Sequence, residues 1–160
     1  MVKILFVCHG NICRSPMAEV IFKDMLRRTG LEKEFYVESA GTSSEEIWHG
    51  VGNPIYPPAR REIEEHGLVC PDRHARQMTK ADYDRFDLLI GMELVNLSSM
   101  RWITGGDPDG KMHLLLDYTD RRGDVDDPWY SGNFRKAWKD IYTGCEGLLK
   151  FLMDDDKLII

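Results

Sequence analysis

At 160 residues, with a formal net charge of −6 and 30 % charged side chains, the chain has the length of one domain that can fold around its own core without disulfide staples. The negative balance excludes a general nucleic-acid binder, which needs a basic face. No apolar run reaches signal-peptide or transmembrane length, so a cytoplasmic chain without membrane attachment is expected.

Residues 3–7 (Lys3-Ile4-Leu5-Phe6-Val7) read as a buried strand. They run into Cys8-His9-Gly10-Asn11-Ile12-Cys13-Arg14-Ser15 and then Pro16-Met17-Ala18-Glu19. Ser15 ahead of Pro16 and Glu19 predicts a helix start with Ser15 as N-cap. Met17, Val20, Ile21, Phe22, Met25 and Leu26 form the apolar stripe of that helix, which ends at Thr29-Gly30. Residues 35–40 are a second strand, and strand, helix and strand make a parallel βαβ unit the economical arrangement. Residues 45–58 read as loop, punctuated by Gly50, Gly52, Asn53-Pro54 and Pro57-Pro58, and they carry Trp48 and Tyr56. A solvent-facing helix follows over 59–66 and stops at Gly67; a short one is expected from Thr79, capped by its own hydroxyl with Asp82 three residues on. Residues 86–92 are a third strand, 93–102 a helix, 112–116 a short fourth strand, 117–131 an acidic loop and 134–153 a closing helix. The tail 154–160 is expected to fray. Strands alternating with helices give an α/β sandwich with a parallel sheet, whose ligands sit at the C-terminal strand ends.

The loop between the first strand and first helix carries the chemistry. A helix N-terminus offers free backbone N–H groups to an anion. A thiolate, not a thiol, is the nucleophile; amides, helix terminus and Arg14 all favour the anionic form of Cys8. The planar fork of Arg14 suits two oxygens of a phosphoryl group. Asn11 tolerates the left-handed backbone that would turn amides inward, and Gly10 adds freedom beside it. Ser15 can cap the helix and also donate to the Cys8 sulfur. A phosphocysteine route needs an acid for the departing oxygen, and Asp127-Pro128 supplies one on a stiffened loop, with Asp126, Asp124, Asp120 and Asp117 as rivals. Trp129 and Tyr130 beside it are placed to wall a pocket for an aromatic ring. Four cysteines without CxxC spacing read as free thiols rather than a zinc site, with Cys70 and Cys145 as ordinary core or surface thiols. Neither metal nor cofactor is expected.

Val7-Cys8-His9-Gly10-Asn11-Ile12-Cys13-Arg14-Ser15-Pro16-Met17-Ala18-Glu19, with a late Asp127-Pro128-Trp129-Tyr130, resembles the low-molecular-weight protein tyrosine phosphatases, and the likeness extends over nearly the whole chain. It implies a single-domain three-layer sandwich with a four-stranded parallel sheet and helices on both faces. It further implies Cys8 as nucleophile, Arg14 as phosphate clamp and Asp127 as general acid, then base. His9, Gly10, Asn11, Ile12, Cys13, Arg14 and Ser15 hold the phosphate. Asn11, Ser15 and Ser39 map onto the network that shapes the loop, and Cys13 onto the thiol that can pair reversibly with Cys8. The family usually has a histidine where Arg73 stands, so either Arg73 or His74 takes the bracing role. Glu93 stands where an aspartate is common. Trp48 is the expected aromatic at the pocket lip, and the His9 side chain is expected in solvent.

The expected reaction is hydrolysis of phosphotyrosine in proteins or peptides and of small aryl phosphates, with inorganic phosphate as product and inhibitor. An acid and an ionised thiolate together predict a bell-shaped pH profile. Three alternatives share the scaffold. A phosphoarginine phosphatase tends to carry threonine where Ile12 stands; a thiol-coupled arsenate reductase needs further cysteines to relay a disulfide outward; a binding module would lack a nucleophile or an acid. No nucleic-acid or membrane partner is expected, and the chain reads as a monomer or a weakly self-associating one.

Overall fold

The computed structural model describes residues 1–154. The elements in chain order are β1 (Val2–Cys8), α1 (Arg14–Thr29), β2 (Phe35–Gly41), β3 (Ile47–Trp48), β4 (Val51–Gly52), α2 (Pro57–Glu65), α3 (Ala81–Arg85), β5 (Leu88–Gly91), α4 (Leu94–Thr104), β6 (Met112–Leu114), α5 (Pro128–Ser131) and α6 (Phe134–Asp154). Four strands form one sheet in the order β2-β1-β5-β6, every pairing parallel.

Successive side chains of a strand point to opposite faces, and β1 uses both. Ile4, Phe6 and Cys8 join α1, α2 and α6 in one core cluster, whereas Leu5 and Val7 join Tyr83, Leu97 and Met100 from α3 and α4 in another. That is the expected three-layer sandwich. A strand buried on both faces reads as a continuous apolar run, which is what residues 4–7 are. The chain leaves β1 for β2 on one side and returns to β5 on the other. This reversal of strand order opens a crevice at the C-terminal end of β1, where the loop 8–15 sits. Among the described residues no helix is long and apolar enough to cross a membrane.

Several local expectations are corrected. The segment 45–58 is not all loop: Ile47 and Trp48 pair antiparallel with Gly52 and Val51. Gly52 is required there, because a Cβ would lie 1.9 Å from the Ala75 carbonyl oxygen. Helix α2 starts at Pro57, earlier than expected, with prolines in its first turn, where a missing N–H leaves no bond unmade. Helix α3 is not capped by the Thr79 hydroxyl; instead Asp82 Oδ2 accepts the Thr79 N–H at 2.8 Å. Strand β6 stops at Leu114 and passes into a 3₁₀ turn over Leu115–Tyr118, since Asp117 Oδ2 takes the Leu114 N–H at 3.2 Å. Within the acidic segment, α5 forms directly after Asp127. The frayed tail expected over 154–160 lies outside the described residues apart from Asp154, the last residue of α6.

Candidate active site

Cys8 is the last residue of β1 and is 3 % exposed. Its Sγ lies 3.0 Å from Ser15 Oγ and receives the Asn11 N–H at 3.3 Å. Asn11 adopts φ 61°, the left-handed geometry its short polar side chain tolerates. Its Nδ2 donates to Ser15 Oγ at 2.9 Å and to Ser39 Oγ at 3.1 Å. The expected role of Ser15 as helix cap is wrong: α1 begins at Arg14, its N-cap position is Cys13, and no side chain caps it. The Ser15 hydroxyl is turned inward to the Cys8 sulfur instead.

The backbone explains how the loop presents N–H groups. The carbonyls of Cys8, His9 and Ile12 accept from the N–H groups of Thr42, Ser43 and Tyr56 at 2.9, 3.0 and 2.9 Å. Arg73 Nη1 donates to the Asn11 carbonyl at 2.7 Å. In a trans peptide the N–H lies opposite the carbonyl, and no peptide bond among the described residues is cis. The N–H groups of His9, Gly10, Ile12 and Cys13 therefore turn away from those partners, toward the cup that Cys8 occupies. β2 can lie against this loop only because Gly41 has no side chain: a Cβ there would sit 2.7 Å from the His9 carbonyl oxygen.

Arg14 is 3 % exposed. Its Nη1 donates to the Val125 carbonyl at 3.1 Å and meets Glu93 Oε2 at 2.5 Å, while Nη2 meets Asp127 Oδ2 at 3.3 Å. Asp127 Oδ1 also accepts the Trp129 N–H at 3.1 Å. Of the five carboxylates in contention, only Asp127 lines the cleft. Asp117 and Asp124 hold the backbone N–H groups of Leu114 and Leu94, and Asp126 accepts from the Ser131 hydroxyl.

The cleft encloses about 420 Å³, within the usual range for a small-molecule site. Cys8, Ile12, Cys13 and Arg14 form its floor, Trp129 and Tyr130 stand on one side, and Glu45 and Glu46 are at the lip. Trp48 is not among its walls; it is 66 % exposed on the β3–β4 hairpin, so the expected lip aromatic is corrected to a pair of carboxylates. Trp129 packs at 5.1 Å, ring to ring, on Tyr56. The His9 side chain faces solvent and meets Glu45 at 3.0 Å. Burial, followed by the charges of Cys8 and Asp127, pushes the Cys13 thiol well above its ordinary range, so it stays protonated at neutral pH. All four cysteines are free and buried.

Of the two candidate braces, Arg73 is the one in contact with the loop. Its Nη2 reaches Asn11 Oδ1 and, at 3.3 Å, Ser39 Oγ. His74 Nδ1 instead pairs with the Gly52 carbonyl at 2.8 Å. The sequence reading singled out Glu93 without giving it a role, and missed two further contributors. Glu93 closes on Arg14, and the signal available was its place at the C-terminal end of a strand. Glu19 accepts the Ser39 hydroxyl at 2.7 Å. Asp140, deep in α6, accepts the Asp126 N–H at 3.1 Å and bonds Arg121 and Lys136. Nothing local marks it: it follows the exposed Lys139 as one more charged helix residue, although Trp138 and Ile141 beside it are buried. Among the described residues, no group of three or more His, Cys, Asp or Glu is placed to hold a metal ion.

A family model described as low molecular weight phosphotyrosine protein phosphatase matches residues 3–158. The chain is 39 % identical over 160 residues to the low molecular weight protein-tyrosine-phosphatase YfkJ of Bacillus subtilis, covering 99 % of this chain and all of that one. Its fold superposes on the crystal structure of YfkJ with a TM-score of 0.90, at 38 % identity, covering 97 % and 96 % of the two chains. A Drosophila arginine phosphatase is similar with a TM-score of 0.82 and 31 % identity, covering 97 % of this chain and 100 % of that one.

Proposed function

The chain belongs to the low molecular weight phosphotyrosine protein phosphatase family, and from that premise we propose that it hydrolyses protein phosphotyrosine through a phosphocysteine intermediate, in the cytoplasm, as one catalytic domain spanning residues 1–160. The observation that carries this reading is the convergence on one cleft of Cys8 Sγ, the inward N–H groups of its loop, Arg14 and Asp127.

The loop N–H groups and the Arg14 fork hold the three non-bridging oxygens, which places phosphorus in line with Cys8 Sγ. The thiolate attacks, an S–P bond forms and the P–O bond to the tyrosyl ring breaks. Asp127, protonated in the complex, passes its proton to the departing phenolic oxygen. Trp129 and Tyr130 flank the ring as it leaves. A water then attacks phosphorus, Asp127 takes its proton, and the S–P bond breaks to release inorganic phosphate. The Ser15 hydroxyl and the Asn11 N–H, at 3.0 and 3.3 Å from Sγ, stabilise the thiolate that departs. The family resemblance assigns Cys13 as the thiol that pairs reversibly with Cys8 under oxidation.

The test is turnover of p-nitrophenyl phosphate and of matched phosphotyrosine and phosphoarginine peptides, with Cys8→Ser alongside. Phosphotyrosine is expected to be preferred, and Cys8→Ser to lose activity on the order of 10⁴–10⁶-fold while still binding phosphate. Unimpaired turnover by Cys8→Ser would end the scheme. Glu45 and Glu46 at the lip are suited to a guanidinium, so a higher kcat/KM on the phosphoarginine peptide would reverse the substrate assignment. The relay of an arsenate reductase is disfavoured by the burial of Cys145 in α6, with its Sγ on the Ala18 carbonyl.

A further inference from the structure

Four carbonyls on the outer side of the phosphate loop have partners, and at one of them the partner is a charge. The oxygens of Cys8, His9 and Ile12 are met by backbone N–H groups; that of Asn11 is met by the Arg73 guanidinium. The same fork takes Asn11 Oδ1 and Ser39 Oγ, so it grips main chain and side chain of the one loop residue at positive φ. A left-handed residue other than glycine is strained by about 1–2 kcal/mol, and two charge-assisted hydrogen bonds on its oxygens offset that. The N–H of this residue donates to Cys8 Sγ at 3.3 Å, and its carbonyl, pinned by Arg73, fixes the direction of the Ile12 N–H. Arg73 thus sets two of the donors the reaction uses without touching substrate.

It also brings a formal charge. Facing the guanidinium are Cys8 and Asn11 of the loop, Glu19 of α1, Ser39 of β2, and Cys70 and Arg76 of its own segment. Glu19 is already engaged by Ser39 Oγ and, at 2.6 Å, by Lys23 Nζ. Burial disfavours the Arg73 cation, while Glu19 and Cys8 favour it. A guanidinium keeps its proton throughout the working range of a protein, whereas an imidazole in the same place would lose its charge near neutrality.

Resting on the phosphotyrosine reading, we infer that Arg73 is a positioning residue for catalysis, holding Asn11 in its left-handed turn and keeping a permanent positive charge behind the Cys8 thiolate, so that the anion-binding form of the loop does not switch with pH. Its partners lie 62 residues away in sequence at Asn11 and 34 at Ser39, which is why no local pattern announces the role.

The test compares the full chain with Arg73→Met, Arg73→Lys and Arg73→His. The readouts are kcat and KM for p-nitrophenyl phosphate against pH, the pH midpoint of iodoacetamide labelling at Cys8 (located by mass spectrometry), and Tm. Arg73→Met is expected to lower kcat about 10- to 100-fold with a smaller effect on KM, and to move the labelling midpoint upward by about one pH unit. Arg73→Lys restores the midpoint but not kcat, because one ammonium cannot span three oxygens in a fixed fork. Arg73→His resembles the unaltered chain below about pH 6 and Arg73→Met above about pH 7. An unchanged kcat in Arg73→Met overturns the inference. A lowered Tm with an unmoved midpoint also overturns it, by assigning Arg73 to the scaffold alone. If the unaltered chain fails to hydrolyse p-nitrophenyl phosphate and phosphotyrosine peptides, the phosphatase reading falls, and the labelling midpoint still decides the role of Arg73.

Discussion

The phosphate loop (8–15) and the acid loop (119–127) face each other across Arg14, and they are held in different ways. In the first, Asn11, Arg14 and Ser15 are buried, and four carbonyls have fixed partners. The second is largely exposed and turns through two residues at positive φ, Arg122 and Gly123. Its ties run mostly through side chains: the Val125 N–H donates to the Met92 carbonyl at 2.9 Å and its carbonyl accepts from Arg14, Asp124 takes the Leu94 N–H, and the Asp126 N–H and Arg121 both reach Asp140. Asp127 itself keeps part of its carboxylate in solvent and shares Arg14 with Glu93. The contrast follows from the tasks. Donors that hold a phosphoryl group through the transition state contribute most when they need no rearrangement. A group that gives a proton in one step and takes one in the next has to exchange partners, and a carboxylate partly open to solvent on an exposed loop suits that.

The contrast is broken most severely by removing the proton the acid loop delivers. Asp127→Asn keeps the shape, and kcat should fall about 10²–10⁴-fold, most for aryl phosphates with poor leaving groups. A series of substituted phenyl phosphates checks this; losses independent of the leaving group would remove Asp127 as the acid. A smaller effect is expected from loosening the anchor. Asp140 is 2 % exposed. Burial alone would raise its pKa, but hydrogen bonds from Arg121, the Asp126 N–H and Lys136 outweigh it and hold the carboxyl below its ordinary range. A carboxyl lowered on folding adds stability above its unfolded value near pH ~4, and that stability is lost as pH falls through the lower folded value. Asp140→Asn should therefore cost about 2–3 kcal/mol at pH 7, less than a fully buried pair because Arg121 and Lys136 are half exposed. The difference in urea unfolding should shrink toward pH 3; a pH-independent difference would mean that packing, not charge, is responsible.

The smallest effects separate two tryptophans that look alike in sequence. Trp129 packs on Tyr56 beside the acid, whereas Trp48 projects from the β3–β4 hairpin. Trp129→Ala should reduce kcat/KM on a phosphotyrosine peptide by about tenfold, in line with loss of an aromatic contact of ~1–1.5 kcal/mol, and Trp48→Ala should leave it within about twofold. Equal losses in both would return the hairpin to the pocket lip.

Much of the site was legible because its main components are local. The run from Ile4 to Val7 has to be buried on both faces, Cys8 and Arg14 fall at opposite ends of one strand-to-helix loop, and Asn11 is the loop residue that best tolerates positive φ. Alternating apolar periodicities then order strands and helices into one parallel sheet, which brings the loop after β1 and the loop after β6 to the same edge. Ser15 shows the limit of local rules. It has the neighbours of an N-cap, yet its hydroxyl is satisfied by Asn11 and Cys8, because a loop folded back on itself supplied partners closer than the helix terminus.

The sequence by itself singled out the residues proposed to react and the sheet edge on which they meet, since these follow from short spacings and from the periods of strand and helix. Only the tertiary structure decided what surrounds them: Arg73 rather than His74 behind Asn11, Glu93 on Arg14, carboxylates rather than Trp48 at the lip, and Asp140 under the acid loop. Each of those placements brings together segments separated in sequence, where a polar side chain has several possible partners. The choice among partners is made by burial and by which backbone groups are left unpaired once the layers have packed.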